Sequence, residues 1–360
     1  MTFLVIFLAL VAPVLTKIPL ATTSELLAYY TTPMLIWEVT VLCLIGGWVN
    51  KTDKWASYLV WWAALGVMWS PTEYQVFSTQ QLVFGVFMMA ICQTVNPNQK
   101  QMAIKAFCVV AVIEVALVVV QSTGITLRWD GFVTDLQRPT GTLGNRSYMA
   151  AYFTMLMAVA PPLVFGFLLV GIILTKSVLG LFVSGVMVWM RWPRWRWYAV
   201  GVGVLLIGTS AWLHPNLQIS FIDRTKIWWL VLSHSVTVVD SQTTFINATS
   251  WQQWLFGHGA GSWLKEAPVL QQAFKTSLYE GWWTQAHNEP IQLMREHGLL
   301  AFGLLGGWIW SWRKRFNTKP IFWSAVLNSM MMFPFHTVPT GVLGACLIGF
   351  ATSKEDSDNV

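Results

Sequence analysis

The residues best suited to chemistry gather in three stretches of this chain. In AHNEPIQLMREHGLLAFGLL, residues 286–305, His287 and Asn288 precede a predicted helix over 290–297 that breaks at Gly298 and runs on as an apolar segment. An imidazole titrates in the range that general-base work at neutral pH requires. The competing reading of His287 is a loop histidine that only caps or hydrogen-bonds. In DRTKIWWLVL, residues 223–232, the apolar spacing suits a helix lying flat at a membrane surface, with Arg224 near its start. Its cations would meet either a bound anion or lipid headgroups. In RPTGTLGNRSYMAAY, residues 138–152, Gly141 and Gly144 allow tight turns just before a predicted helix, with Arg138 and Arg146 alongside. The N–H groups at a helix start suit an anion, although Gly-rich loops also lead into membrane helices where no ligand binds.

Composition says what must position these stretches. Of 360 residues, 55% are hydrophobic and 11% charged, against about 25% charged in ordinary globular chains. Soluble folds, disordered tails and disulfide scaffolds are excluded, and the continuous apolar runs exclude a β-barrel. The expected fold is an all-α polytopic membrane protein. Apolar runs lie near 3–20, 34–49, 55–69, 79–92, 103–122, 147–160, 162–175, 177–190, 197–213, 298–312, 320–333 and 338–352. That is about 12 transmembrane helices at about 20 residues per crossing. The first run lacks a basic n-region and reads as a retained helix. Pro161-Pro162 and Lys176 divide the stretch 147–190 into three; two longer helices would be the other parse.

The basic residues decide between the parses. With the N-terminus inside, twelve spans place Lys51, Lys54, Lys100, Lys105, the RWPRWRW cluster (Arg191, Arg194, Arg196) and Arg313-Lys314-Arg315 in the cytoplasm, as the positive-inside rule requires. The net charge of +6 therefore reports orientation and calls for no nucleic acid. Segments 123–146 and 214–297 then lie on the far side, as do all six histidines: five in 214–297 and His336 between the last two helices. Arg128, Arg138, Arg146, Arg224 and Arg295 also lie there, against the general bias, which suggests an anionic ligand on that face. The acids outside (Asp130, Asp135, Asp223, Asp240, Glu266, Glu280, Glu289, Glu296) are scattered, so no metal or other cofactor is expected. Glu114, inside the run 103–122, is an intramembrane carboxylate and a functional candidate for that reason; a buried polar partner would also explain it. The four cysteines sit in apolar runs and read as small buried hydrophobes.

In these segments the chain resembles the bacterial O-antigen ligase superfamily, which includes O-antigen polymerases and protein O-oligosaccharyltransferases. The resemblance rests on RPTGTLGN at 138–145, Arg224 early in the large outer loop, GHGAG at 257–261 and HNEPIQLMREHG at 287–298. LTKSVLG at 174–180 stands where the family often has a Ser-Arg-Gly turn. The likeness covers roughly 130–312 in matching order, and departs from the family pattern at Arg146-Ser147, Lys176-Ser177 and Ile291.

The resemblance implies a GT-C-like membrane fold with one large periplasmic loop, in the bacterial inner (cytoplasmic) membrane. Its domains would be N-terminal transmembrane helices over 1–122, a ligase-like core over 123–312 that includes the periplasmic loop 214–297, and C-terminal helices with a short cytoplasmic tail over 313–360. It further implies transfer of a glycan from an undecaprenyl-pyrophosphate carrier to an acceptor hydroxyl on the periplasmic face, as in lipopolysaccharide biosynthesis. Arg138, Arg146, Lys176 and Arg224 would hold the donor pyrophosphate, whose charge arginine forks match bidentately. His287 would be the general base, with Arg224 stabilising the leaving group, and Asn145, Asn288 and Glu289 in support. A lipid A core is the preferred acceptor; a glycan repeat (polymerase) or a protein (oligosaccharyltransferase) is the alternative. From a different class, a transporter or flippase of an anionic lipid-linked substrate would also explain the outer cations, and a structural scaffold would leave them unexplained.

Overall fold

The computed structural model describes residues 54–69, 86, 88–125, 139–143, 145–197, 201, 216–238, 244–259, 261–274, 286, 288–312, 319–331 and 338–352. Of these, 82% are helical. The runs near 3–20 and 34–49 and almost all of 197–213 lie outside the described residues, as do Arg138 and His287. In chain order the helices are α1 (Lys54–Trp69), α2 (Pro97–Ser122), α3 (Arg146–Met157), α4 (Pro162–Thr175), α5 (Val178–Arg191), α6 (Asn216–Ser233), α7 (Trp251–Phe256), α8 (Ser262–Phe274), α9 (Glu289–Trp312), α10 (Lys319–Met331) and α11 (Val338–Ala351). Strands β1 (His234–Val238) and β2 (Thr244–Ala248) lie between α6 and α7. The chain divides into two compact units: α2–α5, α10 and α11 belong to one, and α1, α6–α9 and the hairpin to the other.

In the first unit, α2 starts at a capping box. The Asn96 side chain accepts from Gln99 N at 2.9 Å, Gln99 reaches back to Asn96 N, and Pro97 opens the helix. Its 26 residues extend about 39 Å at about 1.5 Å per residue, and it is the one helix among the described residues long and apolar enough to cross a membrane. Ala103, Phe107, Val110, Ala111, Glu114 and Val118 form its buried face, while Val109, Val112, Ile113 and Val119 are exposed. A helix apolar on its solvent side as well as its packed side suits lipid rather than water. Likewise α4 buries Phe165, Leu168 and Ile172 and exposes Leu163, Phe167 and Val170.

The stretch 147–190 is broken where its sequence predicts. α3 ends at Met157 and α4 begins at Pro162, where the missing N–H costs nothing in a first turn. Lys176 ends α4 in the left-handed region (φ 53°), and the Ser177 hydroxyl caps α5 by accepting from Gly180 N at 3.2 Å. α3 is buried from Met149 to Met157 and packs against α4, α5, α10 and α11. Polar ties add to this packing. The Thr154 hydroxyl donates to Asn328 Oδ1 at 2.9 Å, Ser324 Oγ donates to Thr154 O at 3.1 Å, and Asn328 Nδ2 donates to Ser324 O at 2.7 Å. Arg191 Nη1 donates to the carbonyls of Met157 (2.7 Å) and Ala160 (2.6 Å), satisfying the open end of α3.

In the second unit, α6 packs on α8 and α9, and α1 runs along α9. Ile227, Leu230 and Val231 of α6 share a core with Trp263, Ala267 and Leu270 of α8 and with Ala286. The antiparallel pairing runs from His234 opposite Ala248 to Val238 opposite Thr244, and Val236 and Ile246 pack onto that core. α9 is two helices end to end, because Gly298 (φ 73°, ψ −177°) interrupts it. The break at Gly298 stands where the sequence puts it; the hairpin and α7–α8 are additions.

Candidate functional site

On α6, Arg224 and Trp228 are one turn apart and so share a helix face. Ile227 and Val231 take the buried side next to it. The Trp228 indole Nε1 donates to the Ala286 carbonyl at 2.6 Å. Ala286 N in turn donates to Gln292 Oε1 at 3.3 Å, and Gln292 Nε2 donates to Glu296 Oε1 at 2.9 Å. Both backbone groups of Ala286, itself buried, are therefore held by side chains, one from the helix that carries Arg224 and one from α9. Asn288 Oδ1 accepts from Ile291 N at 3.0 Å, and Asn288 O accepts from Gln292 N at 3.1 Å. The Asn288 side-chain oxygen thus caps α9. Glu289 occupies the first turn, where a negative charge favours the helix dipole. Residue 287 itself lies outside the described residues.

A second constellation, absent from the sequence reading, holds the far end of the same helix segment. Arg295 is buried; its Nη2 donates to Glu266 Oε2 and its Nη1 to His258 Nε2, the latter at 2.7 Å. Since Nε2 accepts, the neutral His258 ring carries its proton on Nδ1, which lies 3.8 Å from Glu266 Oε2. Glu266 also accepts from Val236 N at 3.2 Å. Burial, reinforced by the charge of Arg295, pushes the His258 pKa down to about 2. Burial lowers that of Arg295 to about 10 and raises that of Glu266, each against the pull of the other. Desolvation thus outweighs attraction in the pair. His297 is buried too, and burial brings its pKa down to about 4. Neither His258 nor His297 is suited to be a base exchanging protons with solvent near neutrality.

The glycines around this cluster serve close backbone approach. His258 N donates to Arg295 O at 2.9 Å and Gly259 N to Glu296 O at 3.0 Å. A Cβ on Gly257 would overlap the backbone of Glu296 and His297, and one on Gly298 would overlap Leu255 O and Gly257 N. Both residues also have positive φ, which only glycine adopts without strain. Residues 257–259 and the REHG stretch at the α9 break therefore form one clasp.

In the first unit, Asn145 caps α3 by accepting from Ser147 N at 2.8 Å, and Arg146 is the first, half-buried residue of that helix. The N–H groups upstream are already taken. Gln121 Oε1 accepts from Thr140 N (2.9 Å) and Gly141 N (2.8 Å), and Glu114 accepts from Thr142 N (3.0 Å) and Thr142 Oγ1 (2.5 Å). The backbone N–H groups of residues 140–142 are therefore not free to cradle an anion. Lys176 is exposed at the α4–α5 turn. The structure thus places Arg224, Asn288 and Glu289 in one unit and Asn145, Arg146 and Lys176 in the other. Among the described residues, no three His, Cys, Asp or Glu side chains stand close enough to hold a metal ion. Compared with family models, curated proteins and solved structures, the chain matches none.

Proposed function

We propose that this chain is a membrane glycosyltransferase of the O-antigen ligase kind, with about 12 spans in a GT-C-like arrangement, seated in the bacterial inner membrane with its site facing the periplasm. It moves a glycan from an undecaprenyl-pyrophosphate carrier to an acceptor hydroxyl. The observation that carries this reading is the Trp228–Ala286 hydrogen bond, which ties the helix bearing Arg224 to the residue just before the HNEPIQLMREHG segment. The reaction needs two groups, a cation for the leaving pyrophosphate and a base for the acceptor hydroxyl, and Arg224 and His287 are the residues suited to them. His287 takes the proton from the acceptor hydroxyl as its oxygen attacks the anomeric carbon. The bond from that carbon to the pyrophosphate oxygen breaks, the electron pair leaves with the carrier, and Arg224 offsets the growing charge. General-base assistance of this kind contributes about 10²–10⁴-fold.

The preferred acceptor is a lipid A core, with a glycan repeat or a protein hydroxyl as the other arms of the test. Glu114, the residue that would favour a transporter, has its carboxylate bound to the Thr142 backbone and hydroxyl. Purified protein incubated with lipid-pyrophosphate-linked glycan and each acceptor class should give product with one class; no product with any class, from protein that binds the donor, would overturn the reading.

A further inference from the structure

Two polar side chains of α2 hold the loop between Arg138 and Arg146, and neither has a part in the chemistry above. Glu114 and Gln121 are seven residues apart and so lie two turns along one helix face, with buried Val118 between them. Gln121 uses both amide functions: Oε1 accepts from the Thr140 and Gly141 N–H groups, and Nε2 donates to Gly141 O at 3.1 Å. Glu114 uses both carboxylate oxygens, one for Thr142 N and one for Thr142 Oγ1. Three consecutive residues of the loop are thereby tied by five hydrogen bonds to two side chains. Gly141, with φ 58°, leaves no room for a Cβ between the Glu114 carboxylate and the Met149 side chain. Glu114 is buried inside a helix long and apolar enough to cross a membrane, where an ionisable residue without a task is strongly disfavoured.

We infer that Glu114 and Gln121 are positioning residues for donor binding: they fix the loop that leads into α3 so that Arg146, at the start of that helix, meets the carrier's pyrophosphate. Neither side chain touches the donor, and a carboxylate could not bind pyrophosphate directly. The inference rests on the ligase-like reading of the site and adds two residues to it. Because the loop holds the carrier and not the acceptor, its loss should raise the donor KM and leave kcat near that of the parent protein.

The test measures binding of undecaprenyl pyrophosphate, steady-state transfer and melting temperature on the full chain in detergent. The variants are Gln121→Leu, Glu114→Leu, Glu114→Gln and, as a control, Arg146→Ala. Gln121→Leu and Glu114→Leu should each weaken carrier binding about tenfold or more, with kcat changed less than about threefold. Glu114→Gln, which keeps one accepting oxygen for Thr142, should recover most of the affinity. Carrier binding by Gln121→Leu equal to that of the parent would overturn the inference. So would a loss that disappears once binding is expressed per folded molecule, since a merely structural role predicts that result. If Arg146→Ala also binds the carrier normally, the assignment of this loop to the donor fails with it. If Arg146→Ala loses binding while Gln121→Leu keeps it, only the positioning role fails.

Discussion

The loop at 139–143 and the stretch of α9 that ends at Gly298 both carry glycines next to charged residues, yet they are held by opposite means. In the first, side chains grip backbone: Gln121 and Glu114 reach from α2 to the peptide groups of residues 140–142. In the second, backbone docks on backbone at Gly257 and Gly298, and a buried Arg295–Glu266–His258 cluster closes the contact from the side. The first arrangement tolerates changes of shape but not the loss of a polar atom. The second tolerates little added volume, and neither half of its ion pair can be removed alone. Similar-looking glycine motifs thus have different weak points, and substitutions that separate the two probe the comparison.

The largest effect is expected at the ion pair. Arg295→Met leaves the buried Glu266 without its cation and should cost about 3–5 kcal/mol in a reversible unfolding measurement, whereas the double variant Arg295→Met/Glu266→Leu should recover most of that loss. Gly298→Ala comes next. It places a Cβ against Leu255 O at a positive φ, and strain plus overlap should cost about 2–5 kcal/mol. Gly141→Ala should be milder, because the nearest obstacles are the ends of the Met149 and Glu114 side chains rather than backbone.

The acid response follows from His258. Its pKa falls from 6.5 to about 2 on folding, so the folded protein refuses a proton that the unfolded chain accepts. Stability from this residue is complete above pH 6.5 and falls as the pH drops below it, by about 1.4 kcal/mol per pH unit. His297, held down to about 4 by burial, loses stability over the same range, so His258→Gln, which cannot titrate, should lessen but not abolish the slope of the melting temperature between pH 6.5 and 5; an unchanged slope would remove His258 as a cause. Trp228→Phe is the smallest change. Removing the N–H that holds Ala286 O should cost about 1 kcal/mol of stability, yet lower kcat while leaving the donor KM unaffected, the reverse of what Gln121→Leu does.

Much of this architecture is legible in the sequence wherever a single residue dictates it. Pro161-Pro162 must end one helix and begin the next, and Gly298 must break α9, because these are local backbone effects. Glu114 is conspicuous as a carboxylate in an apolar run, but its partner Thr142 lies in a loop far along the chain. Glu266 reads as one more scattered acid, since nothing local marks its pairing with Arg295, 29 residues away. The hairpin at 234–248 does carry β-branched alternation in HSVTV and TFINA, but the strands are short and polar enough to pass for loop. Asn288 reads from the sequence as a partner for His287; that its side-chain oxygen also caps a helix is revealed only by the position of Ile291 N.

The central claim is that Arg224 and His287 act in one transfer site, and a transfer assay on three purified proteins tests it most directly. The parent chain, Arg224→Ala and His287→Ala would each be given lipid-pyrophosphate-linked glycan and acceptor, with carrier binding and melting temperature measured on the same samples. His287→Ala should lose about 10²-fold or more in turnover while it binds the carrier and melts as the parent does, and Arg224→Ala should lose both turnover and carrier affinity. Turnover by His287→Ala at the parent's rate, from protein that is folded and binds the carrier, would contradict the account.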